Sequence, residues 1–452
     1  MNSAAPSQSP LAHLSRLAHD FDPGRDAVFI GGAITEVASG YSRLSGLGRH
    51  ATINDILVDP HSDRPRAEVV QVNAKSVLVA PYQVDTPLEL GARLLRRGPL
   101  TLAPSREWIG RVVNAFGSPV DGLGPLPAGE RTVLVNTGPP AALQRRLIEK
   151  PLPTGVKTID IFTPLCIGQR MGVFAGSGVG KTTLLSMLAA ADSFDIAIIG
   201  LIGERGREVR EFVEHAFNAH RRKTILVAAT SDESPLLRRM AARSTMAIAE
   251  YFRDQGQSVL VILDSVTRFA LACREIAIAS GEPPVSRGFP PSVFTDLPRL
   301  LERAGPGPQG AGDITAIFSV LVDGDDHNDP IADAVRGILD GHIVLDRTIA
   351  AQGRYPAIDI PLSLSRLTHL ALSPERRALS VKLRAMIARF EEARDLRAMG
   401  GYQAGLDAEL DAAVAIVPLL YANLAQSADD PPCPDSFKEV TEALKRQTAA
   451  AA

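Results

Sequence analysis

The sequence predicts an α/β protein in which a parallel-sheet core is preceded by a small β-barrel and followed by a C-terminal helical domain. Three observations carry that prediction. Short β-type runs at close spacing fill residues 26–95, continuous apolar runs alternate with helical segments through residues 96–372, and residues 373–452 turn helical and polar-rich. The length of 452 residues points the same way, because single cores stop growing near ~250–300 residues.

Residues 1–25 open with a Ser/Pro-rich polar leader. Leu11, Leu14, Leu17 and Phe21 then recur at three- to four-residue spacing, the signature of a short amphipathic helix. Such a helix either docks on its own core or offers a hook to a partner helix, and the spacing leaves both open. In residues 26–95 the runs AVFIGGAITEV, ATINDILV, RAEVVQV and KSVLVAPY are separated by Gly, Asp, Asn and Pro turns. Short strands so closely spaced suit a closed barrel. Gly110–Pro125, GRVVNAFGSPVDGLGP, is a junction of turns.

From Gly155 the pattern changes. RMGVFA leads into a glycine-rich loop and a helix, FDIAIIGLI into ERGREVREFVEHAF, and KTILVAAT into a long helix through SPLLRRMAARSTMAIAEYFRDQG; SVLVILD and DITAIFSVLV follow. Apolar strands alternating with helices imply a parallel sheet covered on both faces. After Ser373, SPERRALSVKLRAMIARFEEARDLRAM, the Gly400-Gly401 break and LDAELDAAVAIVPLLYANL give the helical domain.

Composition narrows the function. With 45% hydrophobic and 22% charged residues and a net charge of -3, the chain is an ordinary soluble globular protein. It lacks the clustered excess of Lys and Arg that a phosphate backbone requires. Cys166, Cys273 and Cys433 are too far apart for a disulfide framework or a C-x-x-C metal site, so a reducing cytoplasm is expected. No apolar run reaches the ~18–20 residues of a membrane span. MNSAAPSQSP has neither the basic nor the apolar region of a signal peptide.

The chemistry concentrates in GVFAGSGVGKTTLL, Gly172–Leu185. This fits the P-loop pattern except that Ala175 stands at the first glycine position, a strand exit where a methyl group is tolerated. Gly176, Ser177, Gly178, Val179 and Gly180 form the predicted phosphate cradle, continued by Lys181, Thr182 and Thr183 into a helix N-terminus. Lys181 is expected on the β- and γ-phosphates and Thr182 on Mg²⁺. SVLVILDS ends a buried strand in Asp264, where a second Mg²⁺ ligand belongs; the plain alternative is a helix cap.

IAIIGLIGERGREV puts Glu204 after another buried strand, a candidate to orient or deprotonate water. Arg205 and Arg207 flank it and either neutralise phosphate charge or hold the carboxylate; a solvated charge run is the alternative. In RYPAIDIPLSLSR, Tyr355 offers an aromatic face for adenine, although a core tyrosine is the default. Arg366 can complete a γ-phosphate site in its own chain or a neighbour's, and spacing does not choose.

Four stretches together, GVFAGSGVGKTTLL, GLIGERGREVREF, VLVILDSVTRFA and GEPPVSRGFPPSVFTDLPRLLERAG, resemble the type III protein-export ATPases, relatives of the catalytic β subunit of rotary ATP synthases. The resemblance runs through GRVVNAFGSPVDG, GDDHNDPIADAVRGILDGHIVLDR and RYPAIDIPLSLSR over nearly the whole chain. GVKTIDIFTPLCIGQRMGVFAGSGVGKTTLLSMLA and EEARDLRAMGGYQAGLDAELDAAVAIVPLLYANL are more similar to the flagellum-specific branch than to the virulence-injectisome branch.

The resemblance implies a RecA-like P-loop core and Mg-dependent ATP hydrolysis that energises export of flagellar proteins. It implies a homohexameric ring on the cytoplasmic side of the export gate, peripheral to the inner membrane. Lys181, Glu204, Arg205 and Arg366 would be the catalytic group, with Arg366 delivered to the adjacent subunit. Tyr355 would contact adenine, and Thr182 and Asp264 would hold the metal. The implied partners are a negative regulator on the N-terminal helix, a central stalk protein, the export gate and substrate–chaperone complexes, with no nucleic acid.

Two departures from the β-subunit pattern stand out: Ala175, and FEEARDLRAM in place of an acidic motif that meets the rotor. Alternatives are a virulence-type secretion ATPase, a hexameric nucleic-acid motor, or a ring in which nucleotide plays only a locking role. The motor needs a basic, aromatic-lined path, yet residues 27–80 hold only Phe29 and Tyr41 in their first half and no dense Lys/Arg cluster. A glutamate rather than a glutamine at position 204 favours catalysis over locking.

Overall fold

The computed structural model describes residues 30–83, 88–322 and 329–451. The amphipathic helix expected over Leu11–Phe21 lies outside them. The chain divides into two compact units, one ending at Val79 and joined by Leu88–Gly98, the other comprising Ala80–Pro87 and everything from Pro99.

The first unit is the barrel. Strands β1 (Gly31–Ala38), β2 (Tyr41–Ser45), β3 (Asp55–Val58), β4 (Pro65–Val72), β5 (Ser76–Pro81) and β6 (Arg93–Pro99) close in the order β1-β2-β5-β4-β3-β6. Ile34, Leu44, Leu57, Val69, Val77 and Val79 fill its interior. Closure leaves no strand edge unpaired, which is how so small a sheet avoids edge-to-edge association. The buried Asp55 carboxylate takes hydrogen bonds from Arg96 Nε at 2.6 Å and Thr52 N at 2.7 Å, pinning β6 to the start of β3.

The second unit is built on one large sheet of β7 (Val112–Val113), β8 (Arg170–Ala175), β9 (Ile196–Glu204), β10 (Thr224–Thr230), β11 (Ser258–Asp264), β12 (Asp313–Leu321), β13 (Gly341–Leu345) and β14 (Ile358–Ser365). Their order is β14-β13-β8-β12-β11-β9-β10-β7, and a short strand, Gly305–Pro306, pairs with β12. From β13 to β7 every pair is parallel, so Ala175, Glu204, Asp264 and Leu345 all emerge at one carboxyl edge.

The sheet is mixed rather than wholly parallel, because β14 runs antiparallel to β13. The physical reason is the connection. Between β13 and β14 lies only one five-residue helix, too little chain to recross the sheet. Strand β14 also alternates, with Leu362 and Leu364 exposed and Ser363 and Ser365 buried, the pattern of an edge strand wet on one face.

Helices cover the sheet: α1 (Lys157–Phe162), α2 (Lys181–Ala189), α3 (Gly206–Phe212), α4 (Pro235–Arg253), α5 (Val266–Ala279), α6 (Pro291–Leu301), α7 (Pro330–Ile338) and α8 (Arg347–Ala351). Their start signals are local. Ser234 and Ser265 cap α4 and α5 by accepting from Leu237 N and Arg268 N, and Pro235 opens α4 where no amide is needed. Met171, Val173 and Ala175 of β8 pack with Leu184, Leu188, Ile199, Ile262 and Ile343, so the loop after β8 leaves a rigid base.

The C-terminal helices α9 (Pro374–Glu392), α10 (Ala408–Leu424) and α11 (Ser436–Ala451) form a further core. Leu383, Ile387, Val417, Leu420 and Phe437 enclose Ile161, Phe162 and Ile360 there, joining the helical domain to α1 and β14. Among the described residues no helix is long and apolar enough to cross a membrane.

Candidate active site

The glycine-rich loop turns from β8 into α2 at the carboxyl edge of the sheet. Gly178 and Gly180 adopt φ of +79° and +92°, so both need glycine, and Gly180 caps α2. The amides that open α2 therefore face outward with the positive end of the helix behind them, an arrangement that binds phosphate. Ser177, Gly178, Thr182 and Thr183 are exposed on this surface. Val179 is buried in the core, so it contributes its backbone and anchors the loop.

Lys181 crosses β12 to reach the far strand. Its ammonium pairs with Asp264 Oδ1 and lies 3.6 Å from Glu204 Oε1. Asp264, 3% exposed, also accepts a hydrogen bond from Ser319 Oγ at 2.7 Å, donated from β12 between the two strands. Burial alone would lower the Lys181 ammonium, but the charges of Asp264 and Glu204 outweigh it and raise it, so the lysine stays charged.

Burial pushes the Glu204 carboxyl well above the ordinary carboxylate range; Lys181 opposes the rise, while Asp264 and a hydrogen bond shared with Glu208 add to it. A carboxyl raised in this way is suited to proton transfer near neutrality. Its aim comes from a β-bulge. The β9–β10 register slips between Ile202 and Glu204, and Gly203 takes φ +69°. A Cβ on Gly203 would lie 3.0 Å from Arg268 Cβ. Gly203→Ala is therefore expected to cost ~1–3 kcal/mol of stability, as a thermal melt would show, and to redirect the Glu204 side chain.

Tyr355 lies over the end of the loop, its Cδ1 and Cε1 3.7 Å from where a Cβ on Gly180 would stand. It is 47% exposed, so it is a surface platform and not a core tyrosine. The cleft beside it is lined by Thr158, Pro356, Leu424 and Ala425, the last two supplied by the end of α10.

Three of the expected residues lie away from this cluster. Arg205 is 79% exposed, its guanidinium 3.9 Å from Glu208, and Arg207 pairs outward with Glu211 at 2.8 Å. Arg366 sits at the opposite edge of the sheet: its backbone N–H donates to Asp340 O at 2.9 Å, and the Asp340 carboxylate accepts from the first amide of β8, Arg170 N, at 3.0 Å. The length of β8, ~17 Å at ~3.3 Å per residue, separates that edge from the loop, farther than an arginine side chain extends.

Three contributors were not anticipated from the sequence. They are Ser319, the bulge glycine Gly203, and Arg268, one turn into α5 after Asp264. The Arg268 Nε is buried without a hydrogen-bond partner within the protein. An orphan cationic donor beside Gly203 and Glu204 fits an anion at this edge. The Asp264 carboxylate and Thr182 hydroxyl are hard oxygen donors of the kind Mg²⁺ takes alongside phosphate oxygens, so the residues present fit both groups.

The ATP synthase alpha/beta family nucleotide-binding domain matches residues 155–365, and the T3SS EscN ATPase C-terminal domain matches residues 372–446. The chain is 51% identical over 436 residues to the flagellum-specific ATP synthase of Agrobacterium fabrum, covering 96% of this chain and 92% of that one. It is 46% identical over 366 residues to the type 3 secretion system ATPase of Xanthomonas euvesicatoria, covering 80% and 82%. The solved structure of the assembled ATPase EscN from the enteropathogenic E. coli type III secretion system superposes with TM-score 0.85 at 40% identity, covering 92% and 99%. EscN in complex with its central stalk EscO gives 0.83 at 39%, with the same coverage.

Proposed function

From the premise that the chain belongs to the flagellar and type III secretion ATPase family and is an ATP-hydrolysing enzyme, we propose that it powers export of flagellar proteins as a homohexameric ring. The observation that carries the reading is the cluster of Lys181, Asp264 and Glu204 at the mouth of the phosphate loop.

In this reading the amides of the loop and of the first turn of α2 receive the phosphates, and Lys181 turns from its carboxylates to the β- and γ-oxygens. Thr182 and Asp264 hold Mg²⁺, which when bound neutralises phosphate charge. Glu204 positions the attacking water and takes its proton, with Glu208 holding the carboxylate. Arg268 directs its unsatisfied Nε–H at the γ-phosphate. Tyr355 stacks on the adenine against the wall of Leu424 and Ala425. Truncating it to Ala should raise KM for ATP about tenfold with kcat nearly unchanged, since stacking a base on an aromatic ring is worth ~1–3 kcal/mol.

The site becomes complete only when another subunit delivers Arg366. Two observations support a ring. Arg366 cannot reach the loop of its own chain, and it is flanked on an edge strand by the exposed apolar side chains of Leu362 and Leu364. EscN is solved as an assembly and with a central stalk, which supports a stalk partner for this chain too. The export gate, the substrate–chaperone complexes, the regulator on residues 1–25 and a peripheral place at the inner membrane belong to the same proposal.

The 51% identity over 96% of the chain favours the flagellar branch. Complementation tests it: a strain lacking its flagellar ATPase should regain swimming when given this chain, and not when given Glu204→Gln. Rescue of effector secretion in an injectisome mutant, without rescue of swimming, would assign the chain to the other branch.

A further inference from the structure

A buried polar cluster at the amino edge of the sheet takes no part in the chemistry above, yet it converges on the residue before Arg366. Gln169, fully buried, accepts from Cys166 N at 2.8 Å through Oε1. Its Nε2 donates to Ser365 Oγ at 3.2 Å and to Asp340 O at 3.4 Å. Ser365 Oγ passes the chain on by donating to Pro164 O at 2.7 Å. Asp340 O also takes the Arg366 amide, so Gln169 and Arg366 share one acceptor. The donors and acceptors admit only this orientation of the amide.

We propose that Gln169 is a positioning residue for Arg366, fixing the backbone from which that arginine reaches the neighbouring subunit's site. The proposal rests on the reading of Arg366 as a residue that acts in trans. Buried polar groups left unpaired are costly, so a fully satisfied network holds one backbone arrangement against its alternatives. Arg170 strengthens the hold. It directly follows Gln169, opens β8 and binds the Asp340 carboxylate through N at 3.0 Å and through Nε and Nη2 at 3.2 Å each. Close backbone contact tightens it further: a Cβ on Gly341, opposite Ser365, would stand 2.5 Å from Leu364 O. Strand β8 thus carries the phosphate loop for its own subunit at one end and steadies the arginine lent to the next subunit at the other.

The test uses full-length subunits mixed before ring assembly. Gln169→Met keeps the side chain's length and removes both polar ends. Alone it should lose ~10- to 100-fold in kcat, the scale of a misplaced catalytic group, while KM and affinity for Mg-ADP stay within about twofold. Mixed equally with Lys181→Ala subunits, inactive but with Arg366 well placed, its turnover per Gln169→Met subunit should rise to about half the parent value, since half the neighbours in a random closed ring are Lys181→Ala. A defect in the variant's own site would not be repaired by an inactive neighbour.

Arg366→Ala mixed with Lys181→Ala is the control. Recovery there without recovery for Gln169→Met would overturn this proposal alone, and no recovery in either mixture would overturn the trans reading beneath it. Should Gln169→Met fail to assemble, Ser365→Ala, which removes only the hydroxyl in the relay, undergoes the same mixing. Unchanged kcat in Ser365→Ala and Gln169→Met would also overturn the assignment.

Discussion

Glu204→Gln is expected to bind ATP with near-parental affinity and to lose ~10²- to 10⁴-fold in kcat, the range over which a positioned acid or base contributes. The substitution keeps the shape and the hydrogen-bonding length of the side chain. It removes the one carboxyl at the mouth of the loop that burial has raised toward neutrality. The Gly203 bulge still aims the side chain, Lys181 keeps its stronger partner Asp264, and the loop glycines are untouched. Binding and turnover should therefore separate. Equilibrium binding of a fluorescent nucleotide beside a phosphate-release assay measures both, and near-parental hydrolysis by Glu204→Gln would remove that residue from the chemistry.

Arg366→Ala should fall further, ~10³- to 10⁵-fold in kcat, the contribution of an arginine that stabilises charge on a transferring phosphoryl group. Its nucleotide affinity should not change, because the residue emerges at the edge of the sheet opposite its own loop. The exposed Leu362 and Leu364 remain, so rings should still form. Turnover lost with both binding and assembly preserved is the combination expected of a residue working in a neighbour's site. A parallel loss of nucleotide affinity in the isolated subunit would place Arg366 in its own site.

How far the sequence revealed the site depended on the kind of signal each residue leaves. Lys181 and Thr182 were legible from the glycine-rich loop that precedes them, and Asp264 and Glu204 because each ends an apolar run, and in a parallel sheet the ends of such runs must meet at one edge. The barrel and the helical domain were legible from their periods. Ser319 was not, because a single serine inside DITAIFSVLV marks nothing until β12 is known to lie between β8 and β11. Arg268 required the phase of α5, and Gly203 required a register slip that only strand pairing exposes.

The cleft beside Tyr355 was hidden by distance. Tyr355 and its neighbours Leu424 and Ala425 come from segments about seventy residues apart, joined by packing of α10 beside β14. The place of Arg366 was hidden for a different reason. Spacing says nothing of strand direction, and the antiparallel run of β14 is what carries that residue to the far edge. Arg205 illustrates the reverse: a charged residue next to Glu204 in sequence points outward to Glu208 in the fold.

A catalytic site shared between subunits makes turnover depend on assembly. Turnover per subunit measured against protein concentration, with the mass of the assembly followed by sedimentation on the same samples, tests it most directly. Activity per subunit should climb cooperatively as rings form and fall toward zero in dilute, monomeric protein. Full turnover by monomers, unchanged across the whole range, would mean that each subunit carries a complete site of its own.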